Sequence, residues 1–423
     1  MKEKLILIGN GMAGVRTLEE LLKLAPEQYD ITVFGGEPCG NYNRILLSPV
    51  LAGEKTIDEI MLNDEQWYAD NGITLHKGKW VEEVNRAKRI VRASDGCEAG
   101  YDRLIIATGS NPFIIPVPGN ELDGVISFRD ISDVDTMLEA SRKTGGKAVV
   151  IGGGLLGLEA ANGLIKQGMD VTVVHLMDTL MERQLDKPAG ALLKASLEQK
   201  GLQFLMEAQT EAILGTDKVE GIRFEDGLEI PADLVVMAVG IRPNIDLARK
   251  IGLHCERGLV VNDTMQTFDP RVYSVGECVQ HRGETYGLVA PLFEQAKVCA
   301  NHLAHMGIAR YAGSITSTKL KVTGIDLFSA GDFHGDETTE DLVLQDPGRG
   351  IYKKVVLKDH RILGAVMYGD TIDGTWYFEL MRDATDVSDF RDKLLFGQAH
   401  LGDSGHGDDN RVAAMADSAE ICG

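Results

Sequence analysis

Two clusters of glycines have the spacing that most directly indicates chemistry in this sequence. The pattern G-x-G-x-x-G occurs at Gly9, Gly11 and Gly14 and again at Gly152, Gly154 and Gly157. Glycines at this spacing permit a tight turn and let a pyrophosphate approach the backbone at a helix N-terminus, where free N–H groups and the helix dipole favour anions. One such cluster could be a turn that binds nothing, but two in one chain predict two dinucleotide-binding sites.

The segments around each cluster predict the elements that would position it. Residues 4–9 predict a short buried strand, residues 15–24 carry apolar side chains at helical spacing, and residues 31–34 predict a second strand. The second cluster is surrounded in the same way, by a strand at 147–151, a helix at 158–167 and a strand at 171–174. The G-x-G-x-x-G pattern is specific for dinucleotide binding when its glycines form the turn between the strand and the helix of a β–α–β unit. The predicted fold class is therefore α/β, with two Rossmann-like dinucleotide-binding domains.

The residue that follows the second strand of each unit indicates which nucleotide would bind. Glu37 lies just beyond the strand at 31–34, where its carboxylate could accept hydrogen bonds from ribose hydroxyls. His175 occupies the corresponding region of the second unit, where an acid would contact the ribose of NAD and an arginine would pair with the 2′-phosphate of NADP. The absence of an immediate arginine favours NADH but leaves NADPH open.

Small residues also follow other apolar strands. They are Ala107, Thr108 and Gly109 after the strand at 101–106, and Val239 and Gly240 after the strand at 232–237. Both segments predict crossings between domains close to a bound nucleotide, although each alone could be an ordinary turn. Gly276 and Glu277 follow a further strand, and Pro291 marks the first turn of a later helix.

Composition and charge restrict the class of protein. The 423 residues include 43 Lys and Arg against 64 Asp and Glu, a net charge of −21, and 44% are hydrophobic, as in folded globular chains of two or three domains. The acidic balance excludes an electrostatic nucleic-acid binder. No run reaches the roughly 18–20 apolar residues of a membrane helix, and the first apolar run leads into glycines rather than a cleavage site. We expect a cytoplasmic protein that binds neither nucleic acid nor membrane.

The cysteines and the C-terminal third add further expectations. Six cysteines, at positions 39, 97, 255, 278, 299 and 422, form no C-x-x-C pair, so they make neither a disulfide framework nor a complete metal site. Residues 309–400 alternate strand-like and turn-like segments and predict a separate α+β domain. Residues 401–423 are rich in Gly, Asp and Ser and predict a linker.

Together these motifs resemble the flavoprotein pyridine-nucleotide reductases, whose fold is that of glutathione reductase. The resemblance covers residues 4–398 and implies a discontinuous FAD-binding domain, 1–112 and 240–308, around an NAD(P)H-binding domain, 113–239. For FAD it implies contacts from Gly9, Gly11, Met12, Ala13, Gly14, Glu37, Asn43, Arg44, Val81, Ala107, Thr108, Gly109, Gly276, Glu277 and Pro291. For NAD(P)H it implies contacts from Gly152, Gly154, Leu155, Leu156, Gly157, Glu159, His175, Val239 and Gly240.

Two residues depart from the pattern of that family. Glu277 stands where the family usually has aspartate, so its carboxylate reaches one methylene further. Pro49 stands where the family has a lysine, so a lysine partner for Glu159 is missing from that place. The resemblance implies that Glu159 orients the nicotinamide; the alternative is a helix N-terminal acid that only interacts with the dipole.

Within the family, four segments resemble the electron-input region of the large subunit of assimilatory NAD(P)H nitrite reductases. They are residues 41–54, 173–186, 275–283 and 319–332. In such subunits a [2Fe-2S] module follows the flavin region, and sirohaem and a [4Fe-4S] cluster come later. Residues 419–423 are similar to the opening of that module, with Cys422 as its first ligand; the alternative is an unrelated tail cysteine. A missing continuation or a partner protein would then hold these centres.

The activity implied by the resemblance is hydride transfer from NAD(P)H to FAD, followed by electron release to an iron–sulfur acceptor. A free-standing reductase of ferredoxin or rubredoxin, with 309–400 as its interface domain, is the first alternative. A redox-sensing flavoprotein with little turnover is the second. A disulfide reductase is disfavoured because Cys39 has no cysteine partner nearby in sequence. The sequence leaves a homodimer open.

Overall fold

The computed structural model describes residues 2–143, 145–322 and 324–401. The chain forms two compact units, the first of residues up to 316 with 322–324, and the second of residues 317–321 with the chain from Ile325 onward. The predicted linker beyond Leu401, including Cys422, lies outside the described residues. In the part of the chain that is described, no helix combines the length and the apolar character needed to cross a membrane.

The first unit alternates strands and helices. Its helices are α1 (Met12–Leu24), α2 (Leu47–Leu51), α3 (Glu65–Asp70), α4 (Ile131–Ser141), α5 (Leu155–Lys166), α6 (Lys187–Gln199), α7 (Asp246–Lys250) and α8 (Val289–Leu303), with 3₁₀ turns at Arg44–Leu46 and Asp58–Ile60. Its strands are β1 (Glu3–Ile8), β2 (Tyr29–Phe34), β3 (Asn41–Tyr42), β4 (Met61–Asn63), β5 (Thr74–His76), β6 (Val81–Asn85), β7 (Ile90–Ala93), β8 (Glu98–Gly100), β9 (Arg103–Ile106), β10 (Ser110–Pro112), β11 (Val125–Ser127), β12 (Lys147–Ile151), β13 (Asp170–Val174), β14 (Gln203–Leu205), β15 (Thr210–Gly215), β16 (Val219–Phe224), β17 (Glu229–Pro231), β18 (Leu234–Met237), β19 (Ile241–Pro243), β20 (Leu259–Val261), β21 (Val272–Ser274) and β22 (Val279–His281).

The first large sheet is parallel and has the order β21-β9-β1-β2-β5. Its central strand β1 pairs with β2 through Leu5 opposite Ile31 and with β9 through Leu5 opposite Arg103. Strand β21 comes from a distant part of the chain, so the sheet combines both segments of the predicted FAD-binding domain. Leu5, Leu7 and Ile105 are fully buried, as expected for a parallel sheet covered on both faces.

The second large sheet has the order β11-β18-β12-β13-β14, and all its pairs are parallel. Its central strand β12 leads through the second glycine cluster into α5, just as β1 leads into α1. The α/β prediction with two Rossmann-like sheets is therefore confirmed. A three-stranded antiparallel sheet, β15-β16-β17, accompanies the second one.

The chain passes between the two large sheets twice, and the two crossings pair with each other. Strand β10 follows β9, strand β19 follows β18, and they are antiparallel with Ser110 opposite Pro243. The hydroxyl of Thr108 donates to the carbonyl of Asn244 at 2.7 Å, and the N–H of Asn244 donates to the carbonyl of Gly109 at 2.9 Å. The segments at 107–109 and 239–240 thus lie beside one ribbon.

The second unit is an antiparallel sheet with one α-helix among its described residues. Its elements are β23 (Ser317–Val322), β24 (Ile325–Gly331), β25 (Glu340–Asp346), β26 (Ile351–Lys358), β27 (Arg361–Tyr368), α9 (Gly374–Arg382) and 3₁₀ turns at Ser388–Phe396 and Gln398–His400. The strand order is β23-β24-β27-β26-β25. Phe328, Met367 and Tyr377 are buried in its core, and the buried Lys353 pairs with Asp370 at 2.7 Å. The α+β composition agrees with the expectation for the C-terminal segment.

Candidate nucleotide-binding sites

Gly11 and Gly154 each precede a helix and face open space. They are the N-caps of α1 and α5, and neither helix has a side-chain hydrogen bond at its cap. Their φ angles, −84° and −81°, are accessible to any residue, and a Cβ built on either glycine would meet no atom within 4 Å. The fold does not require glycine here. A ligand that must approach the backbone does, and a pyrophosphate at a helix N-terminus fits that space.

The flanking glycines have a different role, since the fold itself requires them. Gly9 has a φ of +106°, and a Cβ there would lie 2.1 Å from the carbonyl oxygen of Ala107. A Cβ on Gly157 would lie 2.0 Å from the carbonyl oxygen of Gly152, and one on Gly14 would lie 2.8 Å from that of Gly9. These residues let strand and helix backbones touch, which fixes the direction of each helix N-terminus.

Glu37 lies beyond β2 and is held by two side chains from the following segment. The hydroxyl of Tyr42 donates to one carboxylate oxygen at 2.7 Å, and the guanidinium of Arg44 donates to the other at 2.5 Å. A second nitrogen of Arg44 donates to the carbonyl of Arg129 at 2.7 Å. Asn43 accepts the N–H of Ile45 at 3.1 Å and thereby caps the 3₁₀ turn that carries Arg44.

Trp80 is an aromatic side chain that sequence reasoning missed in this region. The N–H of Gly78 donates to the carbonyl of Glu37 at 2.9 Å, and that of Lys79 donates to the carbonyl of Gly35 at 2.8 Å. The indole covers Gly36, where a Cβ would lie 2.6 Å from the ring, yet the side chain remains exposed. Val81 follows it at the start of β6. Trp80 lies far beyond β2 in sequence, so no local pattern connected it with Gly36.

Glu277 is held at the end of β21 by residues from other parts of the chain. The hydroxyl of Ser110 donates to its carboxylate at 2.7 Å, and Arg129 forms an ion pair with the same oxygen. The neighbouring Gly276 has a φ of +96° and packs on Ala13 in the first turn of α1. Arg129 lies 148 residues from Glu277 in sequence, and no local pattern predicted their pairing.

The remaining predicted contacts lie at the starts of α1, α5 and α8 and after β18. Met12 and Ala13 begin α1, Leu155 and Leu156 begin α5, Gly240 has a φ of +113°, Val239 lies against the second turn, and Pro291 is buried in the first turn of α8. A Cβ on Gly152 would lie 2.3 Å from the carbonyl oxygen of Ala238. This contact at the second glycine cluster corresponds to the contact between Gly9 and Ala107 at the first.

Glu159 lies on α5 and contacts α2, a helix from the N-terminal part of the chain. The hydroxyl of Ser48 on α2 donates to its carboxylate at 2.7 Å, across 111 residues of sequence. The two helices pack closely, because a Cβ on Gly163 would lie 2.6 Å from the side chain of Leu51. Burial raises the pKa of Glu159, and the Ser48 hydrogen bond opposes that shift. A serine, rather than the lysine absent at Pro49, therefore holds this carboxyl.

We expect Glu159→Gln to remove a pH dependence of stability. The native carboxyl has a raised pKa, so it contributes stability that is fully present below the unfolded pKa of about 4.3. That contribution is lost as the pH rises through the raised pKa of the folded state. In urea titrations, the free energy of unfolding of the variant, relative to the native chain, should therefore increase as the pH rises above the unfolded pKa of about 4.3. A difference that does not change with pH would contradict the raised pKa.

His175 follows β13 and contacts the second glycine turn. Its Nδ1 accepts the N–H of Gly153 at 3.1 Å, and its Nε2 lies 3.0 Å from the carbonyl oxygen of Thr179. The ring is buried, and a Cβ on Gly153 would lie 2.8 Å from it. The side chain thus supports the turn from the protein side.

Residues 3–302 match the family described as pyridine nucleotide-disulphide oxidoreductase. The chain belongs to this family. Its residues 317–385 also match the C-terminal domain of rubredoxin NAD⁺ reductase. The family resemblance inferred from the sequence is confirmed, and the second match falls within the predicted C-terminal domain.

Several members of the family are similar to this chain. A nitrite reductase [NAD(P)H] of Bacillus subtilis is 51% identical over 422 residues, which are 100% of this chain and 52% of that protein. An assimilatory nitrate reductase electron transfer subunit from the same organism is 45% identical, over 93% of this chain and 51% of that protein. The chain thus spans about half the length of these relatives. The crystal structure of NADH:rubredoxin oxidoreductase from Clostridium acetobutylicum superposes with a TM-score of 0.78 at 27% identity, covering 94% of this chain and 100% of that one.

The surroundings of Cys39 differ from those of a reactive thiol, although the family name includes disulphide chemistry. Burial and the neighbouring Glu37 carboxylate raise the pKa of its thiol, whereas reactive cysteines have a lowered pKa. Among the described residues all five cysteines are free, including the buried Cys278 and Cys299. A thiol–disulfide step between the described cysteines is therefore disfavoured.

Proposed function

We propose that this chain is an FAD-containing NAD(P)H oxidoreductase that passes electrons to an iron–sulfur acceptor. The observation that carries this proposal is the pair of uncapped helix N-termini at Gly11 and Gly154, each of which faces open space that a Cβ would enter. When bound, FAD supplies a two-electron acceptor for the hydride of NAD(P)H and can release the electrons singly. FAD is assigned to Gly11 and NAD(P)H to Gly154, as the resemblance to the flavoprotein pyridine-nucleotide reductases implies.

The side chains of the first site would fix FAD along its length. The N–H groups at the start of α1 would bind the pyrophosphate. Glu37, whose carboxylate is held by Arg44 and Tyr42, would accept hydrogen bonds from the adenosine ribose. Glu277, held by Ser110 and Arg129, would receive a hydroxyl of the ribityl chain. These roles need rigid side chains, and the hydrogen bonds already present supply that rigidity.

In the second site, α5 directs both phosphate binding and nicotinamide placement. The free N–H groups at Gly154 would bind the pyrophosphate. Glu159, one turn further and held by Ser48, would orient the nicotinamide amide. Alignment of the reacting atoms is the protein's main contribution to hydride transfer. None of these side chains has to move a proton.

We expect Glu37→Ala to weaken FAD binding about tenfold, an affinity change of about 1.4 kcal/mol. The variant loses the ribose acceptor and leaves Arg44 without its carboxylate partner. Flavin content after dialysis measures the effect. Glu27→Ala is a matched control, because that exposed glutamate precedes β2 and pairs only with Lys2 among the described ion pairs. Equal flavin retention by both variants would contradict the assignment of Glu37.

The proposed physiological role is the electron-input portion of a nitrite reductase system. The similarity of this chain to about half of a nitrite reductase [NAD(P)H] and about half of a nitrate reductase electron transfer subunit supports this role. The second candidate is a free-standing rubredoxin or ferredoxin reductase, which the match of residues 317–385 favours. NADH, or NADPH, would be the reductant in either case.

Purified chain loaded with FAD tests these proposals. We expect steady-state oxidation of NADH with ferricyanide as acceptor, and no consumption of nitrite, because the six cysteines of the sequence include no set able to hold a [4Fe-4S]–sirohaem centre. Bound flavin without turnover would favour a redox sensor instead. Rapid reduction of added rubredoxin would favour the second candidate, and nitrite-dependent oxidation of NADH by the chain alone would contradict the first.

A further inference from the structure

His175 is the residue that follows β13, and both of its ring nitrogens contact other groups of the protein. The N–H of Gly153 can only donate, so Nδ1 of His175 is its acceptor, at 3.1 Å, and carries no proton. The proton is then on Nε2, which lies 3.0 Å from the carbonyl oxygen of Thr179. The imidazole is buried, and both of its nitrogens have partners within the protein. It is therefore not free to recognise a ribose hydroxyl or a phosphate.

A carboxylate from further along the chain lies at the same strand end. Oε2 of Glu182 is 3.2 Å from Nε2 of His175, and the glutamate side chain is 37% exposed. The preceding residue ties this loop to the glycine turn, because the N–H of Met181 donates to the carbonyl of Gly153 at 3.0 Å. Glu182 thus stands beside the second nucleotide turn although it is seven positions beyond His175 in sequence.

Asp178 and Glu182 are the two carboxylates between β13 and the N-cap of α6, and Glu182 has no lysine or arginine partner among the described ion pairs. Asp178 forms an ion pair with Lys187 at 2.6 Å and accepts the hydroxyl of Thr179 at 2.8 Å, so the lysine offsets the charge that would repel a phosphate. Leu176 and Met177 are exposed apolar side chains. Arg183 is exposed beside Glu182, and it is the group that would bind a phosphate if this site preferred one.

We propose that Glu182 determines coenzyme specificity by accepting the ribose hydroxyls of NADH and disfavouring the 2′-phosphate of NADPH. This inference rests on the proposed function, in which the nicotinamide nucleotide binds at Gly154. A carboxylate at the end of this strand can accept hydrogen bonds from a ribose 2′-hydroxyl. A 2′-phosphate at the same place would put like charges in contact, which a partly buried site does not screen well. The acid that the sequence lacks after β13 is thereby supplied by the loop.

The test is equilibrium binding of NAD⁺ and NADP⁺ to the FAD-loaded protein by calorimetry. Neither oxidised nucleotide reduces the flavin, so binding is measured without turnover. We expect the native chain to prefer NAD⁺ and Glu182→Gln to lower the ratio of the two affinities about tenfold or more, since a charge-assisted hydrogen bond is lost and a repulsion is removed. Glu182→Asp should retain part of the preference.

Arg183→Gln is the matched control, and its NAD⁺ affinity should equal that of the native chain. An unchanged affinity ratio in Glu182→Gln would overturn the inference, as would equal losses for both nucleotides, which indicate a structural role through His175. A loss of NADP⁺ affinity in Arg183→Gln, with NADP⁺ preferred by the native chain, would also overturn it. If the native chain binds neither nucleotide, the proposed function itself fails, and this result is distinct from an unchanged ratio.

Discussion

Gly154→Val is expected to reduce the rate of flavin reduction by NADH at least about 100-fold while FAD stays bound. The φ of −81° at this position suits valine, and the added side chain would enter only the open space before α5. That space is where the pyrophosphate must approach the backbone. A loss of two factors of ten corresponds to about 2.8 kcal/mol of binding or transition-state energy. Stopped-flow reduction at several NADH concentrations measures it.

The structural cost of the same change should be small. Valine is a poorer N-cap than glycine by about 1 kcal/mol or less, and no backbone atom has to move. Flavin content and the melting temperature of Gly154→Val should therefore stay close to those of the native chain. Normal reduction by NADH in this variant would show that the nicotinamide nucleotide does not bind at this turn.

Gly11→Val is expected to abolish stable FAD binding while leaving NAD⁺ binding intact. Gly11 has the same geometry before α1, with a φ of −84° and no atom within 4 Å of a built Cβ. The purified variant should be colourless after dialysis, and it should show no oxidation of NADH with ferricyanide. Calorimetry with NAD⁺ should still give the native affinity, because the second turn is built on a separate sheet.

The two valine variants are controls for each other. Each adds the same side chain at the same position of an equivalent turn, so a general effect on folding would appear in both. A Gly11→Val protein that retains stoichiometric FAD would contradict the assignment of FAD to the first turn. Loss of FAD from Gly154→Val and retention in Gly11→Val would reverse the two assignments.

The two glycine turns and the sheets that carry them could be predicted from the sequence. Gly9 to Gly14, the strand before them and the helix after them are contiguous, and the same holds for Gly152 to Gly157. Such β–α–β units depend on local hydrogen bonding and hydrophobic periodicity, so residues that are close in sequence are enough to predict them. The sequence places His175 at the strand end but does not show the direction of its ring. In the structure the ring contacts the backbone of Gly153 and Thr179.

The partners that hold the site's carboxylates were decided only by tertiary structure. Glu277 pairs with Arg129, 148 residues away, and Glu159 accepts from Ser48 across 111 residues. Glu182 reaches the strand end through the contact of its loop with Gly153. By itself the sequence determined where two nucleotides can approach the backbone, since that depends on short-range geometry. Which side chains surround them depends on how distant segments pack, and that packing has no signature in neighbouring residues.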